Sequence, residues 1–335
     1  MSVKSNIVSP MERGSGAYIV HKYLERRLPG YTIAEYSPYW TLIPIALRSI
    51  VPVKNAALIH TTPDYARFFH SESAPLVITF QNYVLDPWMI PYSTWFQRIH
   101  YSTDLRLWTK MAVNKAHTLT AVSGFTAELV KKDLNIPHPI RVIYNCVDEQ
   151  LFTPVTSSKA VRKEVRVFFS GNITRRKGAQ WLPAIAKQLD TNICIYYTQG
   201  LRTRKSLLPA SGLKPVGPVP FSDMPAQYRD MDILLMPTVR EGFSLSMLEA
   251  MACGLPVVAS DCSSIPELLD NGKGGFLCPV GDLKAFAEKI NILADSPGLR
   301  KKMGEYNRAK VEEMFTLDRM VKEYKELFEQ VLGQK

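Results

Sequence analysis

Short apolar runs of four or five residues alternate with helical patterns along nearly the whole chain, and the series occurs twice. The first series has strand-like runs at Ser5–Ser9, Ala56–His60, Leu76–Phe80, Leu119–Val122 and Arg141–Tyr144. Helical stretches are predicted over Ala17–Leu28 and Gly124–Leu134, the latter opened by Ser123. Strands separated by helices cannot pair as hairpins, so the pattern predicts a parallel sheet covered by helices. Near residue 152 the texture turns polar and then restarts, with strands at Val165–Phe169, Ile193–Tyr197, Ile233–Met236 and Pro256–Ala259. Helices are predicted to begin near Gly178, Met224, Ser244 and Ser264, and a charged amphipathic helix runs over Leu317–Leu332. The expected fold is α/β, with two Rossmann-like domains facing across a cleft. The predicted divisions are 1–152, a linker at 153–164, a second domain at 165–315, and a helix at 316–335 crossing back to the first. Ligands of such sheets sit beyond the carboxyl ends of the strands.

A chain of 335 residues suits two domains. No low-complexity or repeat segment interrupts it. The start, MSVKSNIVSP, lacks the apolar core of a signal peptide, and the longest apolar run, Ile43–Val53, is broken by Pro44, Arg48 and Pro52. The five cysteines have no CxxC spacing, which argues against a zinc site or disulfide framework and predicts a reducing, cytoplasmic setting. A net charge of +10 suits an anionic partner, or solubility alone.

The strongest chemical signal is Glu241-Gly242-Phe243-Ser244-Leu245-Ser246-Met247-Leu248-Glu249. It reads as a loop after a strand that opens a helix. Backbone amides at a helix start attract anions, and Gly242 admits a ligand close to the backbone. Glu249 could accept both hydroxyls of a ribose, and Glu241 those of a sugar. Alone, two glutamates eight apart also suit an ordinary solvated helix. A second cluster, Gly171-Asn172-Ile173-Thr174-Arg175-Arg176-Lys177-Gly178, puts three cations between a strand and a helix. That suits a diphosphate, or a solvated basic turn. Asp230-Met231-Asp232 has the form of a metal-binding pair, but its place between a helix and a buried strand suits a cap or turn better.

The segment EGFSLSMLEAMACGLPVVASD resembles the Glu-x7-Glu region of glycosyltransferase family 4, and the likeness continues through CSSIPELL and DNGKGGFLCPVGDLKAFAEKI. GPVPFSDMPAQYRDMDILLMPT and TAVSGFTAELVKKDLNIPHPIRVIYNCVDEQLFTP are similar to other parts of that family. The resemblance is close over residues 117–292 and looser over 1–116. It implies a GT-B fold and a retaining, metal-independent hexosyltransferase with no cofactor. The donor would be a nucleoside-diphosphate sugar and the acceptor a glycan or a lipid-linked molecule. Glu241, Lys177 and Arg176 are the implied catalytic set, with Arg175 a weaker substitute for Arg176. Glu249 is implied to bind the donor ribose, Gly242, Phe243, Ser244 and Leu245 its phosphates and sugar, and Val219 its base. Gly16, in the Gly14-Ser15-Gly16 loop, is implied to approach the donor phosphates and acceptor.

Two positions depart from the family pattern. Asn172 stands at its arginine position, and Gln81 stands where a histidine near the reacting sugar is usual; Gln81 is implied to bind the donor by hydrogen-bonding a sugar hydroxyl, but it cannot take up a proton. The Gly14 loop lacks the third glycine of a nicotinamide-binding fingerprint, because Ile19 takes that place; a dehydrogenase reading is therefore weak. An epimerase, a phosphorylase or a non-catalytic sugar-binding protein would share the architecture. His60, His70, His100, His117 and His138 show no ligand spacing and read as structural or surface residues. Finally, Tyr83–Lys115 mixes Trp88, Trp95, Phe96, Tyr101 and Trp108 with Arg98, Arg106, Lys110 and Lys115. That mixture suits an anionic membrane surface or a core-packed helix with a basic outer face. No motif supports nucleic-acid binding.

Overall fold

The computed structural model describes residues 6–50, 55–155, 162–198 and 210–333. Ser5 of the first expected strand, positions 51–53 of the Ile43–Val53 run, residues 156–161 of the expected linker and residues 334–335 lie outside the described residues. The chain divides into two units: residues 1–145 together with 317–335, and residues 146–316.

Unit 1 carries β1 (Ile7–Glu12), α1 (Gly16–Arg27), β2 (Tyr31–Tyr36), α2 (Leu47–Ile50), β3 (Leu58–Thr61) and β4 (Leu76–Phe80). Then come α3 (Trp95–Ser102), α4 (Asp104–Val113), β5 (Thr118–Ala121), α5 (Gly124–Leu134) and β6 (Arg141–Val142). Its sheet is parallel throughout, in the order β2-β1-β3-β4-β5-β6. β4 has the expected bounds because both its faces are buried, leaving a run that is apolar but for Thr79. The first strand departs from expectation: it runs on to Glu12, through Pro10. Pro10 has no N–H for a ladder, and β1 pairs with β3 only at Ile7 and Val8; beyond them the Thr61 hydroxyl donates to the Pro10 carbonyl (2.8 Å). β2, whose burial alternates, escaped the sequence reading. α5 starts where Ser123 accepts from the Thr126 amide (3.1 Å) and stops at Asn135, whose left-handed φ of 54° closes the helix.

Unit 2 holds β7 (Val165–Phe169), α6 (Leu182–Ala186), β8 (Ile193–Thr198), β9 (Leu213–Gly217), α7 (Met224–Arg229), β10 (Ile233–Met236) and α8 (Leu245–Ala252). It continues with β11 (Val257–Ser260), α9 (Ile265–Leu268), β12 (Gly275–Cys278), α10 (Leu283–Asp295) and α11 (Pro297–Met314). The sheet order is β12-β11-β10-β7-β8-β9, again parallel. β7 at the centre contributes Val167, Phe168 and Phe169 to the core. The expected helix at Gly178 begins as a 3-10 turn, Ala179–Trp181, because Gly178 itself is left-handed (φ 75°). Gly178 admits no side chain: a Cβ there would lie 1.8 Å from the Pro237 carbonyl oxygen.

The last helix, α12 (Leu317–Gly333), packs in unit 1. Its Tyr324 and Phe328 rings meet His60. Beneath them runs a chain of buried hydrogen bonds. The Tyr31 hydroxyl lies 2.7 Å from both His21 Nδ1 and His60 Nδ1, and His60 Nε2 lies 2.7 Å from the Thr79 hydroxyl. Thr79 in turn meets Thr120 (2.6 Å) and Tyr324 (3.3 Å). Burial keeps both imidazoles neutral, His21 with its pKa pushed down to about 3 and His60 well below its ordinary value.

Candidate functional site

The unit 2 site gathers where β7 and β10 end. After β7 the chain turns through Gly171–Gly178 and is tied to the end of β10. The Val239 amide donates to the Arg176 carbonyl (2.9 Å), and the Thr238 hydroxyl oxygen lies 3.1 Å from the same carbonyl. With Gly178 pressed onto Pro237, this fixes the backbone that presents Arg176 and Lys177. Both side chains converge on Glu241. Lys177 Nζ lies 2.8 Å from Glu241 Oε1, and Arg176 Nη1 lies 3.2 Å from the same oxygen. Arg176 also donates to the Arg240 carbonyl (2.8 Å), and Thr238 donates to Glu241 Oε1 (2.8 Å). The Ser264 hydroxyl donates to the Glu241 carbonyl (3.2 Å).

Glu241 is only 6% exposed. Burial pushes its pKa up, but Lys177 and Arg176 outweigh that and hold the carboxylate ionised. Burial lowers the Lys177 pKa while Glu241 opposes the shift. Two cations on one carboxylate leave the trio with a single surplus positive charge. Arg175, by contrast, is exposed.

Glu249 lies one turn into α8 and is half-buried. Burial raises its pKa to about 7; the Tyr228 hydrogen bond and the Lys177 charge offset part of that rise. The Tyr228 hydroxyl sits 2.8 Å from Glu249 Oε2 and 3.0 Å from the Ser170 hydroxyl. Ser244 forms the N-cap of α8 but makes no side-chain cap; its hydroxyl meets Ser246 at 3.2 Å. The α8 amides are thus not covered by the residue best placed to cover them. The Phe243 ring is buried, edge-on to Phe315. Gly242 and Leu245 complete the turn into the helix. Val219 lines a shallow cavity of about 360 Å³ with Val216, Pro218, Gln227 and Asp230.

The Asp230-Asp232 pair is committed elsewhere. Asp230 bonds Arg166 and Arg162, and Asp232 Oδ2 accepts from the Arg166 amide (2.9 Å). Sequence reasoning missed Tyr228 and Thr238, which hold the two glutamates, and Ser170, which bonds Tyr228; uncharged residues far apart in sequence carry no signal of such a role.

The other expected site residues lie in unit 1. Gly16 opens α1 behind Ser15, which accepts from the Tyr18 amide (3.0 Å), and a Cβ at Gly16 would meet nothing within 4 Å. Glu35, the residue a nicotinamide reading would assign to a ribose, is held by Tyr18 (2.5 Å), Arg13 (2.7 Å) and Lys22 (3.1 Å). Gln81 directly follows β4 and accepts a hydrogen bond from buried Asn145 (3.0 Å). That contact leaves Gln81 Nε2 and Asn145 Oδ1 buried without protein partners. Asp64, beyond the end of β3, was not singled out; burial, aided by Glu12, raises its pKa to about 6.

The aromatic and basic Tyr83–Lys115 stretch is partly buried and partly exposed. Tyr83, Leu85, Leu105 and Ala112 enter the core, and Trp108 packs against Phe68 and Tyr65. Trp88, Trp95 and Phe96 remain exposed.

A family model described as "Glycosyltransferase Family 4" matches residues 5–151, and one described as "Glycosyl transferases group 1" matches residues 164–296. Among curated proteins, an N-acetyl-alpha-D-glucosaminyl L-malate synthase of Bacillus anthracis is 37% identical over 101 residues, 30% of this chain and 26% of that protein. The capsular polysaccharide biosynthesis glycosyltransferase CapM of Staphylococcus aureus is 37% identical over 95 residues, 28% of this chain and 25% of that protein. The chain thus spans about a quarter of the length of these relatives. In fold it is similar to sucrose-phosphate synthase from Thermosynechococcus elongatus (TM-score 0.80, 15% identity, 98% of this chain and 99% of that one). It is also similar to Anabaena HepE in complex with UDP and glucose (TM-score 0.78, 17% identity, 97% and 99%). These structures share the GT-B architecture, two parallel α/β units.

Proposed function

The chain belongs to glycosyltransferase family 4, and from that premise we propose that it transfers a hexose from a nucleoside-diphosphate sugar to a glycan or lipid-linked acceptor. Retention of configuration, metal independence and a role in cell-surface polysaccharide or glycoconjugate synthesis belong to the same reading. The observation that carries it is the convergence of Lys177, Arg176 and Glu241 in the same unit as α8, where Glu249 waits one turn in.

Each group has a task in this reading. Glu249 accepts the ribose diol. The α8 amides and the surplus cation of the Lys177–Arg176–Glu241 trio take the diphosphate, and Glu241 meets the hydroxyls of the transferred sugar. When the sugar–oxygen bond breaks, charge grows on the departing diphosphate. Lys177 and Arg176 already stand there, held by Glu241, so little reorganisation is needed as the charge develops. No metal is required for that stabilisation. The acceptor belongs to unit 1, where Gly16 approaches it, while Gln81 hydrogen-bonds a hydroxyl of the donor sugar and takes up no proton. A chain working on such an acceptor would act in the cytoplasm, at the inner face of the cell membrane.

UDP-glucose is the first donor to test, because HepE, 18% identical and similar in fold, is described in complex with it. GDP- and ADP-sugars complete the panel. The expected result is concentration-dependent thermal stabilisation by one donor, with sugar release or transfer that persists in excess EDTA. A panel without any stabilising donor overturns the function. Activity lost in EDTA and restored by Mn²⁺ overturns the metal-independent mechanism.

A further inference from the structure

We propose that unit 1 seats on an anionic lipid surface through a two-part apolar face. One part is the segment after β2 and the other the segment after β4; the inference rests on the reading of a lipid-linked acceptor above. After β2, the turns at Pro38–Leu42 and Pro44–Ala46 leave Tyr39 80%, Leu42 79% and Ile45 66% exposed. After β4, the start of α3 leaves Trp95 67% and Phe96 77% exposed, their rings edge-on at 5.0 Å. Trp88 and Ile90 precede them, and Leu107 and Met111 extend the face one helical turn apart on α4. A soluble surface tolerates such residues singly; two clusters of them call for an occupant.

The two segments belong to one edge of the sheet. β2 and β4 are parallel and flank β1 and β3, so both segments leave from carboxyl ends. The segment after β3 joins them: Tyr65 lies beside Thr41 on one side and packs against Trp108 on the other. Arg67 donates to the Met111 sulfur (3.0 Å). Gln81, directly after β4, leaves the same edge.

Charge selects the occupant. Residues 38–49 contain Arg48 and no acid. Over 87–115 the acid is Asp104, which is held by His100 at 2.9 Å. Arg98, Lys110 and Lys115 are exposed around the apolar residues. A second copy of this chain would bring the same cations against these. An anionic bilayer satisfies both features, taking aromatic rings at the interface and cations at the headgroups. Among the described residues no helix is long and apolar enough to cross a membrane. The contact is therefore one of resting on the surface.

The experiment is co-sedimentation of the full chain with vesicles of neutral phosphatidylcholine, with and without about a third phosphatidylglycerol. Binding is expected to the anionic vesicles at low salt, and to weaken as salt screens the headgroups. Arg98→Ala should weaken it about fivefold, the worth of one cation near such a surface. The double variants Leu42→Ser/Ile43→Ser and Trp95→Ser/Phe96→Ser should each weaken it more than tenfold while melting like the parent, because these side chains are exposed. Failure of the parent to bind anionic vesicles overturns the proposal. So does undiminished binding by either double variant. A dimer in solution that these variants dissolve would assign the face to a second copy and overturn it too. Donor stabilisation is measured on the same samples. Vesicle binding lost with donor stabilisation kept ends this inference alone, whereas donor stabilisation absent with vesicle binding kept ends the transferase reading.

Discussion

Donor affinity should fall steeply as the solution is acidified through neutrality, because Glu249 accepts a diol well only when ionised. Burial raises its pKa from an ordinary 4.5 to about 7, even though Tyr228 and Lys177 favour the charged form. The bound diol would supply two more donors and hold the carboxylate ionised. Apparent affinity then follows the ionised fraction of the free protein. That fraction drops about tenfold between pH 8 and pH 6 for a group titrating near 7. The sugar diphosphate is a diester, already fully ionised over this range, so the donor adds no slope. Donor titration calorimetry at half-unit steps from pH 5.5 to 8.5 measures the effect. Glu249→Gln should bind at least about tenfold more weakly at pH 8 and lose the pH dependence. A companion effect appears in stability. A carboxyl whose pKa is higher in the folded chain favours folding most below 4.5 and loses that contribution as pH rises through 7. The rise from 4.5 to about 7 sets an upper bound of about 3.5 kcal/mol on this contribution. Glu249→Gln should therefore make the unliganded protein more resistant to urea at pH 8. Parental donor affinity that stays flat between pH 6 and 8, or a Gln variant that keeps the slope, would refute this account of Glu249.

Lys177→Ala should reduce turnover about 10²- to 10³-fold, as removal of a single oxyanion donor does, with Arg176→Ala also impaired and exposed Arg175→Ala near normal in steady-state assays. Gly178→Ala should lower stability by about 2–4 kcal/mol in urea unfolding, combining a left-handed alanine with a clash against Pro237. Acidification from pH 6 to 5 should cost roughly 2–3 kcal/mol through His21 and His60, whose folded pKa values are depressed, so that their contribution is present above 6.5 and lost as pH falls. Removing one imidazole in His60→Gln should halve that histidine contribution to the slope of urea stability against pH.

What the sequence disclosed and what it hid follow from how local each signal is. β4 and β10 are buried on both faces, so runs of largely apolar residues mark their limits, and in β7 Arg166 alone breaks such a run. The Ser123 cap and the Asn135 stop mark α5 through side-chain chemistry within a few residues. β1 runs three residues past the expected Ser9, through Pro10, and the Thr61 hydroxyl that meets the Pro10 carbonyl comes from 51 residues away. The charges of the candidate site were visible one by one. Their arrangement was not: Arg176 and Lys177 read as cations awaiting a diphosphate, whereas here they already grip Glu241, more than 60 residues on. The neutral groups that steady the carboxylates, Thr238, Tyr228 and Ser170, are ordinary in composition and become legible only once β7, α7 and β10 are side by side. His21, on α1, was passed over for the same reason, its partners Ser9 and Tyr31 being contributed by β1 and β2.

The packing of α12 in unit 1 makes unit 2 an insertion within unit 1, and that sets an order of events on the ribosome. Residues 1–145 emerge first but cannot complete their fold until 333 has emerged, because Tyr324 and Phe328 close the pocket around His60. At roughly 5–20 residues per second, the intervening 188 residues impose a wait of about 10–40 s. Unit 2, contiguous in the chain, has no such wait and should fold while its predecessor is still open. A nascent chain arrested near residue 316 should then resist protease in its later part and yield to it in its earlier part.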